Sequence, residues 1–223
     1  MVKKLTLVAL VLAGLFTLAA CTQLDVVGTE SVTSFEKVAA AAGDLVAVDD
    51  VYGGYALNAP DGAARFILSR DFSKTSGLDV AVELDAQPFV NAGLDTAKLP
   101  ESIKVQDNKL VIGTDLGSKG PAASAKPVDA YKQVVDQSRD SVKYHAALDH
   151  YGVELTGDNM FEWAKDIAAN DKDIVFVLNP QPFIDAGVDV NAVEGWVFAK
   201  VPTMDKDNKP IEVDKLLKPF NLN

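Results

Sequence analysis

The chain has 223 residues, a formal net charge of −11 and one cysteine. The surplus of carboxylates excludes a phosphate backbone as a favourable partner, so no nucleic-acid function is expected. One cysteine excludes a disulfide framework, and the folded part must be stabilised by packing.

Lys3 and Lys4 precede a charge-free apolar run from Leu5 to Ala20. A basic start, a short apolar stretch and small residues at its end predict a secretory signal peptide over residues 1–20. The run is short for a spanning helix, and no stop-transfer charges follow it. It ends in Leu18-Ala19-Ala20-Cys21. These residues resemble the lipobox of bacterial lipoproteins, and the resemblance covers only the start of the chain. It implies cleavage before Cys21, a diacylglycerol thioether on the Cys21 sulfur, and further acylation (palmitate or similar) of the new amino group. The implied product is held by lipid at a cell membrane or outer membrane, facing away from the cytoplasm. Thr22 stands where an aspartate tends to signal inner-membrane retention, so the resemblance favours the outer membrane or the outer leaflet of a one-membrane cell. Removing residues 1–20 takes away two lysines and no acid, and the net charge moves to −13. That charge suits solubility and opposes lying flat on anionic lipid.

Residues 21–32 read as a lipid-anchored tether, polar and without sustained period. Thr33 and Glu36 form a capping box, alanines at 39–42 continue a helix, and Gly43 stops it. Leu45–Val48 and Tyr52–Asn58 read as strands, followed by a turn at Pro60-Asp61-Gly62. The run 63–70 suits a helix or a strand; Ala64, Ile67 and Leu68 stand at helical spacing, and its equivalence to the run after Asp158 tips the expectation towards a helix. Ile103–Gln106 and Lys109–Ile112 predict a hairpin across Asp107-Asn108. Residues 118–126 read as a linker without phosphate-loop spacing. Pro127 opens a helix whose apolar face carries Val128, Tyr131, Val134 and Val135. Val142–Leu155 is strand-like with a break near Asp149. Asp158 is read as the cap of a helix bearing Met160, Phe161, Ala164 and Ile167. Trp196–Val201 is expected to pair with Ile211–Val213.

One stretch occurs twice. Residues 79–95 and 173–189 align without a gap at an offset of 94, with eight of 17 positions identical. The shared residues include Gln87, Pro88, Phe89 and Gly93 in the first copy and Gln181, Pro182, Phe183 and Gly187 in the second. This predicts an internal duplication with unit 1 over 33–117 and unit 2 over 127–223. Each copy reads as a strand entering a short helix: Pro suits the first turn, Gly the stop, and Phe pins the helix to a core. The fold class is therefore α+β, a duplicated unit of about 95 residues, mainly antiparallel sheet with packed helices. Val175 and Val177 make the second core strand apolar on both faces, so Val177 is expected to be well buried. Glu83 is the equivalent of Val177 and is expected at a partly exposed position.

Chemistry is sparse. His145 and His150, five apart, share neither a helix face nor a strand face and are read as partly exposed strand residues. Asp205-x-Asp207 with Glu212 resembles a calcium loop only faintly, since Lys209 occupies a ligand position. No catalytic residue, metal or cofactor is expected, and the chain is not read as an enzyme. The expected role is structural or protein-interacting at the cell envelope. The alternative is a small ligand or ion bound in a cleft between the two units, lined by Tyr52, Tyr55, Trp163 or Trp196.

Overall fold

The computed structural model describes residues 27–49, 53–70, 78–115, 126–146, 148–167, 172–205, 207 and 209–222. The signal peptide, Cys21, Tyr52 and nearly all of the linker lie outside them.

The first unit begins with a helix over residues 27–42 (α1). Six strands follow: β1 (Val46–Asp49), β2 (Gly54–Asn58), β3 (Ala64–Ser69), β4 (Val80–Asp85), β5 (Ile103–Gln106) and β6 (Lys109–Thr114), with the short helix α2 (Gln87–Asn91) after β4. The second unit repeats this order with α3 (Pro127–Gln137), β7 (Val142–His145), β8 (His150–Leu155), β9 (Asn159–Ala164), β10 (Ile174–Leu178), α4 (Gln181–Asp185), β11 (Val197–Met204) and β12 (Pro210–Phe220). The sheets are antiparallel and run β1-β2-β3-β4-β6-β5 and β7-β8-β9-β10-β12-β11, which is one topology written twice. An α+β, mainly antiparallel fold with two similar units is what the duplicated stretch predicted. The β5–β6 hairpin turns at Asp107 and Asn108, both with positive φ, as a two-residue loop demands.

Three expectations are corrected. α1 starts by residue 27, so Thr33 is an interior helical residue and not a cap; residues 27–32 belong to this helix and not to a tether, with Gly28 and Ser31 buried. The runs 63–70 and 159–164 are equivalent, as expected, but they are strands and not helices. Nearly every residue in both is buried, and Ile67 and Met160 are apolar on the outer face beside Arg65 and Glu162, so the alternation that marks a strand is lost and chance spacing imitates a helix. Glu83 is 9% exposed, not partly exposed, because Arg65 across the β3–β4 pair grips both its oxygens at 3.0 Å. Arg65 also donates to Asp49. A buried carboxylate is tolerated where a guanidinium satisfies it, and that partner is visible only once 64–69 is known to be a strand. Val177 is buried as expected.

The inner faces of the two sheets share one core. Phe66 and Phe161 are equivalent by register, since they pair with Val82 and Phe176 respectively. Their rings stack 4.0 Å apart and 5° from parallel. Phe89 and Phe183 also meet, at 5.0 Å. Asp95 N–H donates to the Ala186 carbonyl, and Asp189 N–H donates to the Ala92 carbonyl. Equivalent residues touching each other, with reciprocal bonds, mark a pseudo-two-fold axis. Gly93 and Gly187 sit on it with φ of 104° and 95°. A Cβ on Gly93 would stand 2.8 Å from the Gly187 carbonyl oxygen, so glycine is needed for both conformation and approach. Gln87 and Gln181 each donate one helical turn onward, to Asn91 and Asp185. The repeated motif therefore builds the join between units.

The helices cross between units. Phe35 of α1 packs on Tyr131 of α3 and on Trp163 of β9. Ser34 donates to the Ala164 and Lys165 carbonyls, and the Tyr131 hydroxyl donates to Ser31. Phe161→Ala is expected to cost about 3–5 kcal/mol, because it empties the centre of the shared core. Val105→Ala, on an exposed edge strand, should stay within about 0.5 kcal/mol. Urea unfolding measures both, and a small loss at Phe161 would mean the sheets do not depend on one core.

Candidate functional site

The two sheets differ on their outer faces. In the first, the cross-strand pair Arg65–Glu83 lies beside a small patch of Ala56, Ile67, Ala81 and Val111. In the second, the equivalent pair is Met160–Val177, which joins Val175 and Leu217 in an apolar cluster. The final hairpin differs as well. β5 and β6 have four and six residues, whereas β11 and β12 have eight and eleven. The longer hairpin extends beyond the sheet and walls its outer face.

The result is a long groove over the second sheet, in two lobes of about 630 and 610 Å³ that share Glu162, Val177, Val201 and Pro202. One lobe opens past Ala146, Leu148 and Asp149 at the β7–β8 turn; the other opens past Met204 and Ile211 at the hairpin tip. Each is within the size range of sites for small organic ligands. The first sheet, in the same topology, carries a smaller hollow of about 360 Å³ beside Arg65 and Glu83, so the topology alone does not set the size of the groove.

At its centre Glu162 is 2% exposed. Gly152 stands opposite it on β8, and a Cβ there would come within 3.0 Å of Glu162 Cγ and 2.9 Å of Met160 Cε, so the missing side chain makes room. His145 and His150 face each other across the β7–β8 pair, and both turn to this carboxylate. His145 Nδ1 lies 2.9 Å from Glu162 Oε1 and donates to it; His150 Nδ1 lies 3.7 Å from Oε2, beyond hydrogen-bond reach. His150 Nδ1 and Glu162 Oε2 have no hydrogen-bond partner among the described residues. The carboxylate sits between the rings, each nitrogen facing a different oxygen. Among the described residues no group of three His, Cys, Asp or Glu side chains is arranged to hold a metal ion.

The hydrogen bond to Glu162 raises the His145 pKa above the ordinary imidazole value, against burial and the charges of Lys215 and Lys143. For Glu162 burial is the largest single influence and pushes upward. The His145 bond and the charges of both imidazoles outweigh it, and its pKa ends below the usual glutamate value.

Each residue singled out in the sequence now has a place. Trp163 is fully buried against Phe35, Tyr131 and Phe161. Tyr55 is buried beneath Arg70. Trp196 packs on Phe89 with the Lys218 ammonium over its other side. These three aromatics pack the fold and do not line a cleft. Between the units the inner faces fill a shared core, and a hollow of about 200 Å³ lies where α1 meets Lys165 and Asp166; the larger open volume lies on an outer face. His145 and His150 were set aside because five positions share no face of one element. A hairpin places such a pair directly opposite, and the break near Asp149 was the signal for it; Asp149 has φ 52° in that turn. Asp205 accepts from the N–H groups of Asp207 and Lys209, which ties its carboxylate into its own hairpin turn.

No protein family, characterised protein or solved structure matches this chain. The groove thus rests on its own geometry.

The His145–Glu162 pair sets a pH dependence. A raised imidazole pKa contributes stability that is complete below the unfolded value, about 6.5, and is lost as pH rises through the folded value. A lowered carboxyl pKa contributes stability above the unfolded value, about 4.3, that is lost as pH falls through the folded one. The stability of the native chain relative to His145→Gln should therefore be greatest between these limits and shrink as pH climbs past about 7. Urea titrations from pH 5 to 8.5 check this; a constant difference would show that the pair does not titrate as placed.

Proposed function

We propose that this protein is a bacterial envelope lipoprotein, tethered by lipid at Cys21, with a binding and not a catalytic role. The observation that carries the reading is the order of the first 21 residues: Lys3 and Lys4, a charge-free run, then Leu18-Ala19-Ala20-Cys21. The lone cysteine stands where a lipoprotein is modified, and no other thiol competes for a structural role. Among the described residues no helix is long and apolar enough to cross a membrane. A short stretch, residues 22–26, separates Cys21 from the described part of α1. The body is thereby held close to the bilayer on its outer side, with outer-membrane retention favoured by Thr22.

The interaction role falls to the second sheet. A larger groove on one of two otherwise similar units supports a binding task specific to that unit. This favours a small ligand or an inserted segment of a partner over a purely structural role, and it moves the binding place from between the units to the outer face of the second. The net charge of −13 after removal of residues 1–20 continues to oppose a nucleic-acid partner.

Cys21→Ser is expected to leave the protein unlipidated and to shift it from the detergent phase to the aqueous phase on detergent partitioning. Mass spectrometry of the native N-terminal peptide should show diacylglycerol on the Cys21 sulfur. An unmodified cysteine, or an unchanged membrane fraction in the variant, would remove the lipoprotein reading.

A further inference from the structure

We infer that the groove of the second sheet takes an acyl chain of a lipid from the membrane to which the protein is anchored. The inference rests on the lipoprotein reading for where the protein sits, and on the fold for what it does there.

The first observation is where the anchored end meets the body. The described part of α1 begins at residue 27, six positions after Cys21, a reach of at most about 20 Å. One turn into the helix, Glu30 accepts from the Tyr151 hydroxyl at 2.5 Å and pairs with Lys165 at 3.3 Å. Lys37, further along, pairs with Asp166 at 2.7 Å. Asp166 and the turn bearing Leu148 and Asp149 line the first lobe of the groove. Lys165 N–H donates to the Asp149 carbonyl, which ties these two corners together. α1 is thus bonded to the corner formed by Asp149, Lys165 and Asp166, which lies at one end of the groove.

The second observation is the chemistry of the groove. Its floor is methyl and thioether surface from Val175, Val177, Met160 and Leu217. The one charged group in the floor, Glu162, is turned to the imidazoles and closed off from solvent. The first lobe is rimmed by Lys172 and Lys200 against Asp149 and Asp166, and the second by Lys143 and Lys215 against Glu154, Asp158 and Asp214, so the lobe beside Leu148 is the balanced one and the better suited to the chain. An acyl chain needs no hydrogen-bond partner, so such a floor suits it. Leu148, Met204 and Ile211 are exposed large apolar side chains, and they mark the two ends of the groove. A long, narrow, two-ended apolar trough fits a chain better than a globular partner, which wants a broad face.

The test uses the full-length protein in membranes containing a phospholipid with a photoreactive diazirine on its acyl chain. After illumination, adducts are mapped by mass spectrometry. Adducts are expected on the peptides holding Leu148 and Val201. Ala199→Trp, which fills the groove from β11, should reduce them roughly tenfold through lost apolar burial. Leu148→Glu, an exposed turn residue, should reduce them as well and stands in if the tryptophan variant unfolds. Val105→Trp, on the exposed edge of the first sheet, should leave them unchanged. Groove peptides without adducts, adducts unaffected by Ala199→Trp and Leu148→Glu, or equal labelling around Val48 and Val105 would each overturn the inference. Detergent partitioning of the same samples reads the anchor separately. A protein that is membrane-bound but unlabelled in the groove loses only the acyl-chain inference. A protein found off the membrane loses the lipoprotein reading, and the same lipid offered to it in vesicles then decides the groove alone.

Discussion

The stacking of Phe66 on Phe161 is the contact on which the rest of the architecture depends. A residue that meets its own equivalent fixes a two-fold relation between the units. Every inner-facing side chain of one sheet is then covered by the matching surface of the other. Neither sheet could cover that face alone, and a unit of this size buries too small a fraction of its surface to be secure. The same axis explains Phe89 against Phe183 and the close approach of Gly93 and Gly187. The exchanged helices complete the join, since α1 bonds to the second unit through Ser34 and Glu30. Further locks lie off the axis. Lys218 reaches Asp61 at 2.6 Å, and Thr156 bonds to Gly113 and Thr114.

Once the inner faces are committed to each other, only the outer faces are free to diverge. They do so at matching register positions. Arg65 and Glu83 on one sheet correspond to Met160 and Val177 on the other. Asp49 corresponds to His145 and Gly54 to His150 by their places in the first strand pair of each unit. The first sheet thereby carries a guanidinium held by two carboxylates, a closed and well-satisfied surface. The second carries a carboxylate held by imidazoles in the middle of an apolar trough. The central charge is inverted, and the pair Arg65–Glu83 is replaced by the apolar pair Met160–Val177, with no change of topology.

The long β11–β12 hairpin turns that difference into a site. An apolar outer face left open to water would be a liability for aggregation. The hairpin, four and five residues longer than its counterpart strands, walls the face without filling it. α1 is bonded to the opposite rim through Lys37 to Asp166 and Glu30 to Lys165. The first unit serves as the surface that closes the core.

Local chemistry was enough for several features. The repeated Gln-Pro-Phe with Ala-Gly set the duplication and both short helices, because Pro and Gly act on their own backbone. Asp107-Asn108 set its hairpin for the same reason. Whatever depended on a partner across a sheet stayed hidden. Ala64–Ser69 and Asn159–Ala164 lost the strand period because nearly every residue in both is buried, and their burial comes from elements far away in sequence. Glu83 looked as if it needed water because Arg65 becomes its neighbour only through strand pairing. His145 and His150 looked unrelated because distance along one element is the wrong measure when a turn folds it back. Glu162, in a run of six buried residues, gave no sign that two imidazoles would meet it. The chain by itself determined the duplication and the turns, since these are written in adjacent residues. Tertiary structure alone decided which charges are buried and where the open volume lies, because both depend on which distant strands become neighbours.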